Sequence, residues 1–236
     1  MPVEAKHLTK TFGDLVVFRD LSFSLPENKV TVLLGPSGCG KTTLLNIISG
    51  ADRLFEGRLA GAEDHTMSYL FQEPRLLPWK TVRGNLEFVL RHKFSEARCA
   101  QVIEHMLELV GLSGFSNYYP DQLSGGMRQR AALARAYAFP GDLILMDEPF
   151  QALDLRLKLG LVKTFNRLWV EEPRTAVFVT HDIHEAILLG DVIIVLSDRP
   201  ASIRRHFSNG VPRSERSLES DEILRLEKDL YTECSL

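Results

Sequence analysis

The stretch VTVLLGPSGCGKTTLLNIISG, from Val30 to Gly50, passes through three kinds of local structure in succession. Val30 to Leu34 is apolar and largely β-branched, the pattern of a strand buried on both faces. Gly35 then opens the spacing G-x-x-x-x-G-K-T, which closes on Gly40, Lys41 and Thr42. From Lys41 to Ser49 the apolar residues Leu44, Leu45, Ile47 and Ile48 fit one side of a helix, and Gly50 stops it. Strand, glycine loop and helix are the context in which this spacing carries chemistry.

In the loop Gly35-Pro36-Ser37-Gly38-Cys39-Gly40 the glycines let backbone N–H groups curl around phosphate without Cβ clashes. The following helix N-terminus adds partial positive charge. Lys41 is placed to reach the β- and γ-phosphates, Thr42 to hold Mg²⁺ through its hydroxyl, and Thr43 to bond the α-phosphate. The loop therefore implies a nucleoside triphosphate; the competing reading is a bare glycine-rich turn. Cys39, near a helix N-terminus, is expected to have thiolate character and to react with thiol reagents until nucleotide shields it.

With 236 residues the chain can bury a full core, as one large domain or a core with an insert. A net charge of -3 gives no global basic footprint for nucleic acid. Cys39, Cys99 and Cys234 are too scattered for a disulfide framework or a zinc site, which favours reduced cytosol. MPVEAKHLTK has no apolar core of a signal peptide, and Ala186 to Leu196, interrupted by Asp191, is too short to span a bilayer.

Upstream of the loop, Leu8 to Phe12 and Leu15 to Leu25 read as strands around the turn Gly13-Asp14. Phe12 beside that turn is open to two readings, a ring that stacks on a base or an ordinary core or edge aromatic. Downstream, Glu56 to Leu59 and Met67 to Phe71 read as strands, the second ending at Gln72. Pro74 and Pro78 make the next segment a stiff, exposed loop with Leu76, Leu77 and Trp79 on it. Thr81 to Gly111 is helical, with Ser95 capping a helix to about Val110. Another helix, Met127 to Ala138, follows Leu123-Ser124-Gly125-Gly126. Ser124 with these glycines is either a helix cap or a second anion site.

Leu143 to Met146 is a second buried strand and ends in Asp147-Glu148-Pro149. Carboxylates at the end of a parallel strand beside a phosphate loop suit a metal ligand, Asp147, and a base for the attacking water, Glu148. Asp154 caps a helix to about Val170 whose stripe Leu157, Leu161, Phe165, Leu168 and Trp169 reads as core. Ala176 to Val179 is another buried strand, and His181 after it is open to a structural or a γ-phosphate role. Val192 to Leu196 reads as the last core strand, and Asp221 to Tyr231 as a helix packed outside the core through Ile223, Leu226 and Leu230.

In this order the motifs resemble the ATP-binding subunit of an ATP-binding cassette (ABC) transporter. GPSGCGKTT at 35–43 matches its Walker A, Gln72 its Q-loop and LSGGM at 123–127 its signature. LILMDEP at 143–149 matches its Walker B, Ala152-Leu153-Asp154 its D-loop and His181 its H-loop. The resemblance implies an α/β fold: a P-loop NTPase core with a mainly parallel sheet, an N-terminal antiparallel β part and an inserted helical subdomain. The single ATPase domain is expected to comprise a core at 1–72 and 139–200, the helical part at 73–138 and a tail at 201–236.

The resemblance also implies ATP and Mg²⁺ as ligands, with Phe12 stacking on adenine and Thr42, Gln72 and Asp147 around the metal. Two cassettes pair head to tail, so that each ATP lies between Lys41 of one and Ser124, Gly125 and Gly126 of the other. Glu148 is the general base, and His181 and Gln72 face the γ-phosphate or attacking water. The implied partners are a transmembrane permease, a second copy or related cassette and, indirectly, an extracytoplasmic solute-binding protein, with no nucleic acid. The place of action is the cytoplasmic face of the cell membrane. Leu76, Leu77 and Trp79 are expected beside the groove that receives the permease. Met127 stands where Gln is commoner, and Gln151 where a small residue is usual.

A finer resemblance, carried by FQEPRLLPW at 71–79 and DEPF at 147–150, is to importers of nitrate, sulfonate or taurine, and thiamine-pyrimidine precursors. The long regulatory C-terminal domain of sugar-importer relatives is not expected. The alternative is a soluble ABC-type ATPase acting on nucleic acid or ribosomes. Against it, Ser124 comes only 52 positions after Gln72, too close for the coiled coil of DNA-repair members. A nucleotide-binding module without turnover is opposed by the presence of Glu148 and His181.

Overall fold

The computed structural model describes residues 2–151 and 153–234. Its first part runs β1 (Val3–Phe12), β2 (Leu15–Leu25), β3 (Val30–Leu34), α1 (Lys41–Ile48), β4 (Glu56–Ala60) and β5 (Met67–Leu70). Three helices follow, α2 (Val82–Leu90), α3 (Glu96–Leu109) and α4 (Gly125–Ala138), then β6 (Leu143–Asp147) and α5 (Leu155–Glu171). The chain ends with β7 (Thr175–Thr180), α6 (Ile183–Leu189), β8 (Val192–Leu196), β9 (Ile203–Ser208) and α7 (Asp221–Cys234). Two compact units result, one from Met1–His65 with Arg174–Leu236, the other from Thr66–Pro173.

In the first unit β1 pairs antiparallel with both β2 and β4. That double pairing carries β1 back to Val3, where the apolar run alone begins at Leu8: Val3 faces Leu25 and Glu4 faces Ala60. Gly57 is required there, because a Cβ at its φ of 96° would lie 2.3 Å from the His7 carbonyl oxygen. A second group of strands is parallel: β7 and β8 flank β3, with Val32 opposite Phe178 on one side and Ile193 on the other. All five residues of β3 are buried, which is why Thr31 is the one polar side chain in the run.

Beyond β8 the sheet continues into β9, antiparallel, so Val192 to Leu196 is not the last strand. The sequence IRRHFS hides it, because Phe207 alone is buried and the arginines and histidine are not. Helix α7 packs as expected through buried Ile223 and Leu230, and His184 Nε2 meets Glu227 Oε1 at 2.9 Å.

In the second unit β5 and β6 are parallel, with Met67 opposite Leu143 and Leu70 opposite Met146. Helices α2, α3 and α4 lie between these strands in the sequence. The cap expected at Ser95 accepts from the Arg98 amide at 3.4 Å, and α3 buries Ile103, Met106 and Leu107. Asp154 caps α5 through the Leu157 amide at 3.0 Å. The α5 stripe needs one correction: Leu161, Val162, Phe165 and Leu168 are buried, whereas Leu157 is 37% exposed and Trp169 half-buried. Leu157 stands against Gly126, whose added Cβ would be 3.1 Å from Leu157 Cδ2. Among the described residues no helix is long and apolar enough to cross a membrane.

Candidate nucleotide site

The phosphate loop joins β3 to α1 in the first unit. Gly38 and Gly40 have φ of 80° and 113°, and a Cβ on Gly40 would come within 2.4 Å of Val17 Cγ1. Gly35 donates its amide to the Thr180 carbonyl at 3.3 Å, which ties the loop to the end of β7. Lys41 is 3% exposed, and its Nζ donates to the carbonyls of Gly35 and Pro36, each at 2.9 Å. Thr42 and Thr43 follow in the first turn of α1.

His181 comes directly after β7, exposed, and shares a recess with Gly35 and Pro36. Asp182 caps α6 by accepting from the His184 amide at 2.8 Å, and Thr180 Oγ1 donates to Glu185 Oε2 at 2.6 Å. Phe12, at the end of β1, is 53% exposed, so the reading as a core residue falls. Cys39 corrects another expectation. It is 2% exposed, and burial pushes its thiol up although the Lys41 charge pulls the other way.

The second unit holds the remaining residues. Asp147 ends β6, where Tyr69 hydrogen-bonds to it; burial and the Asp147 charge push the Tyr69 phenol up. Glu148 follows with φ of 42°, a left-handed conformation uncommon for a residue with a Cβ. Gln72, just beyond β5, is exposed and donates its side-chain amide to Gln151 Oε1. Ser124 caps α4, its Oγ accepting from the Met127 amide at 3.3 Å. Gly125 opens that helix with no atom within 4 Å of an added Cβ. Ala152, first residue of the expected D-loop, lies outside the described residues.

Trp79 is 71% exposed, with Leu76 and Leu77 half-buried, and Lys80 after it lines a groove with Arg83, Phe88, Arg91 and Phe94. Three contributors have no motif to mark them. Arg199 places its Nη2 where an added Cβ on Gly38 would be 3.1 Å away. Arg135 and Gln129 of α4 donate to the carbonyls of the loops that follow Gln72 and Glu148. The arginine-rich stretch after Gly126 is the only sequence signal for the last two.

A family model described as ABC transporter matches residues 18–151. The chain belongs to the ABC transporter family. This cassette is 37% identical to the aliphatic sulfonates import ATP-binding protein SsuB of Bacillus cereus, over 93% of this chain and 90% of that one. It is also 37% identical to the aliphatic sulfonates import ATP-binding protein SsuB 2 of Pseudomonas syringae pv. tomato, over 95% and 94%. A solved structure of the ATP-binding cassette MJ0796, a dimeric post-hydrolysis state bound to ADP and Pi, aligns with TM-score 0.75 and 30% identity. That alignment covers 89% of this chain and 100% of the other. As an ABC cassette, this chain binds ATP and is an ATPase.

Proposed function

We propose that this cassette is the ATP-hydrolysing subunit of a bacterial solute importer, acting at the cytoplasmic face of the membrane on a separate permease. Relatives named as import ATP-binding proteins support the direction of transport. The observation that carries the chemistry is the curled phosphate loop, with Lys41 drawn onto the carbonyls of Gly35 and Pro36. That geometry suits a phosphate cradle.

In this reading Phe12 stacks on the adenine. The loop amides from Gly35 to Gly40 hold the phosphates, Lys41 offsets the β/γ charge, and Thr43 bonds the α-phosphate. Thr42, Gln72 and Asp147 offer a hydroxyl, an amide oxygen and one carboxylate. This hard, lightly charged oxygen set would suit Mg²⁺. When bound, the ion neutralises charge on the phosphates. Glu148 takes a proton from the attacking water as its oxygen bonds to the γ-phosphorus, and the bond to the ADP oxygen breaks. His181 and Gln72 orient the γ-phosphate and that water.

The cap at Ser124, with the free amides of Gly125 and Gly126, serves as an anion site for ATP held by a second cassette placed head to tail. A dimeric relative at 30% identity supports the pairing. A solute-binding protein outside the membrane delivers the cargo, and the relatives' names make aliphatic sulfonates the first class to try. The test is affinity purification of the tagged chain from detergent-solubilised membranes. An integral permease should co-purify, with ATPase raised by solute-loaded binding protein. Recovery with nucleic acid and no membrane protein would overturn the reading.

A further inference from the structure

Helix α4, whose N-terminus presents Ser124, Gly125 and Gly126, holds two other loops by their backbone. Near its start, Gln129 is 3% exposed and donates its side-chain amide to the Pro149 carbonyl, one residue past Glu148. Near its end, Arg135 donates Nη2 to the Pro74 carbonyl at 3.0 Å and Nη1 to the Arg75 carbonyl at 2.8 Å, just past Gln72. Arg135 is half-buried, and that partial burial, which lowers its pKa, strengthens its reliance on those acceptors.

The held segment is itself rigid. Arg75 has φ of 43°, and its guanidinium carbon lies 3.9 Å from the centre of the Phe71 ring. Fully buried Asn85 accepts from the Leu77 amide at 2.8 Å and from Arg135 Nη1 at 3.4 Å. Its own amide donates to Leu77 at 3.2 Å, Lys80 at 3.2 Å and Thr81 at 3.0 Å. A continuous helix transmits displacement along its length with little internal give, because every turn is hydrogen-bonded. Ser124, Gln129 and Arg135 therefore shift together.

We infer that Gln129 and Arg135 are positioning residues that make each cassette's signature move with its own Gln72 and Glu148 loops. Because that signature completes the partner's nucleotide site, the two residues pass the state of one ATP to the other. The inference rests on the head-to-tail reading above. It requires no new contact with nucleotide, and so separates coupling from binding.

The test uses Arg135→Lys, whose single ammonium cannot span the carbonyls and Asn85, and Gln129→Leu, which keeps volume and leaves the Pro149 carbonyl without its donor. Each is measured alone for affinity of a fluorescent ATP analogue and for the Hill coefficient of ATPase. Each is also combined with Glu148→Gln, and ATP-driven pairing is followed by ultracentrifugation. Affinity of the single chain should stay within about twofold, while pairing weakens by about tenfold and the Hill coefficient falls toward unity. A folded variant of either kind with parental pairing and Hill coefficient overturns the inference, whatever its melting temperature. If Glu148→Gln alone stays monomeric with MgATP, the head-to-tail reading itself has failed.

Discussion

The ammonium of Lys10 sits 4.4 Å from the centre of the Phe12 ring, two residues further along β1. Asp52 Oδ2 at 2.7 Å and the Leu54 carbonyl at 2.6 Å hold the same ammonium, and Lys10 is 2% exposed. Its hydrogen bond keeps the Asp52 carboxyl below the ordinary range. A buried cation thus fixes how an exposed aromatic is presented. Phe12→Ala should weaken ATP binding by about 1–3 kcal/mol, the worth of one base stacked on a ring. Lys10→Met should cost less, by loosening the ring. Calorimetric titration with ATP reads both, and an unchanged Kd for Phe12→Ala would place the base elsewhere.

Glu148→Gln leaves the phosphate loop untouched and removes the base. Hydrolysis should drop by about 10²–10⁴-fold while ATP binding persists. Chains should then pair with MgATP on size-exclusion chromatography. A variant that turns over normally and stays monomeric would remove Glu148 from that role.

Asp191 carries a stability prediction. Its carboxylate accepts from Arg213 and Arg216, each at 2.7 Å, and from the Val30 amide at 2.8 Å, with side-chain exposures of 10%, 5% and 3% for the three ionic groups. Burial raises its pKa, but the Val30 amide and the two guanidiniums outweigh it and hold the carboxyl below its usual range. Its contribution is thus present above the unfolded pKa of about 3.9 and lost as pH falls through the lower folded value. Asp191→Asn should cost about 3–5 kcal/mol at neutral pH, because it strands buried arginines. Thermal melts should show that gap between parent and variant closing below about pH 4.

Thiol reactivity should follow burial. Cys39 and Cys99 are buried and Cys234 exposed, so a chromogenic disulfide reagent should titrate Cys234 first. Cys39 should react only on unfolding, with or without MgATP. Rapid nucleotide-sensitive labelling that Cys39→Ser abolishes would show that the loop opens in solution.

Trp79 is too exposed to be a core residue, so Trp79→Ala should change stability by no more than about 0.5 kcal/mol. ATP affinity should also hold, while recovery of the permease in a pull-down falls. Normal recovery would free Trp79 from any docking role.

The sequence by itself determined what depends on near neighbours in the chain. The strand, loop and helix from Val30 to Ile48 and the caps at Ser95, Ser124 and Asp154 are interactions within a few residues, so their patterns are legible. Tertiary structure decided whatever depends on which distant segment returns to cover a residue. Pairing on both edges carried β1 back to Val3, and burial reversed the expectation for the Cys39 thiol. Arg135 found its acceptors at Pro74 and Arg75, and Lys10 found Asp52. A side chain's composition states what it can bond, but burial and partners are set by the packed chain, and that is what tunes its charge, reactivity and reach.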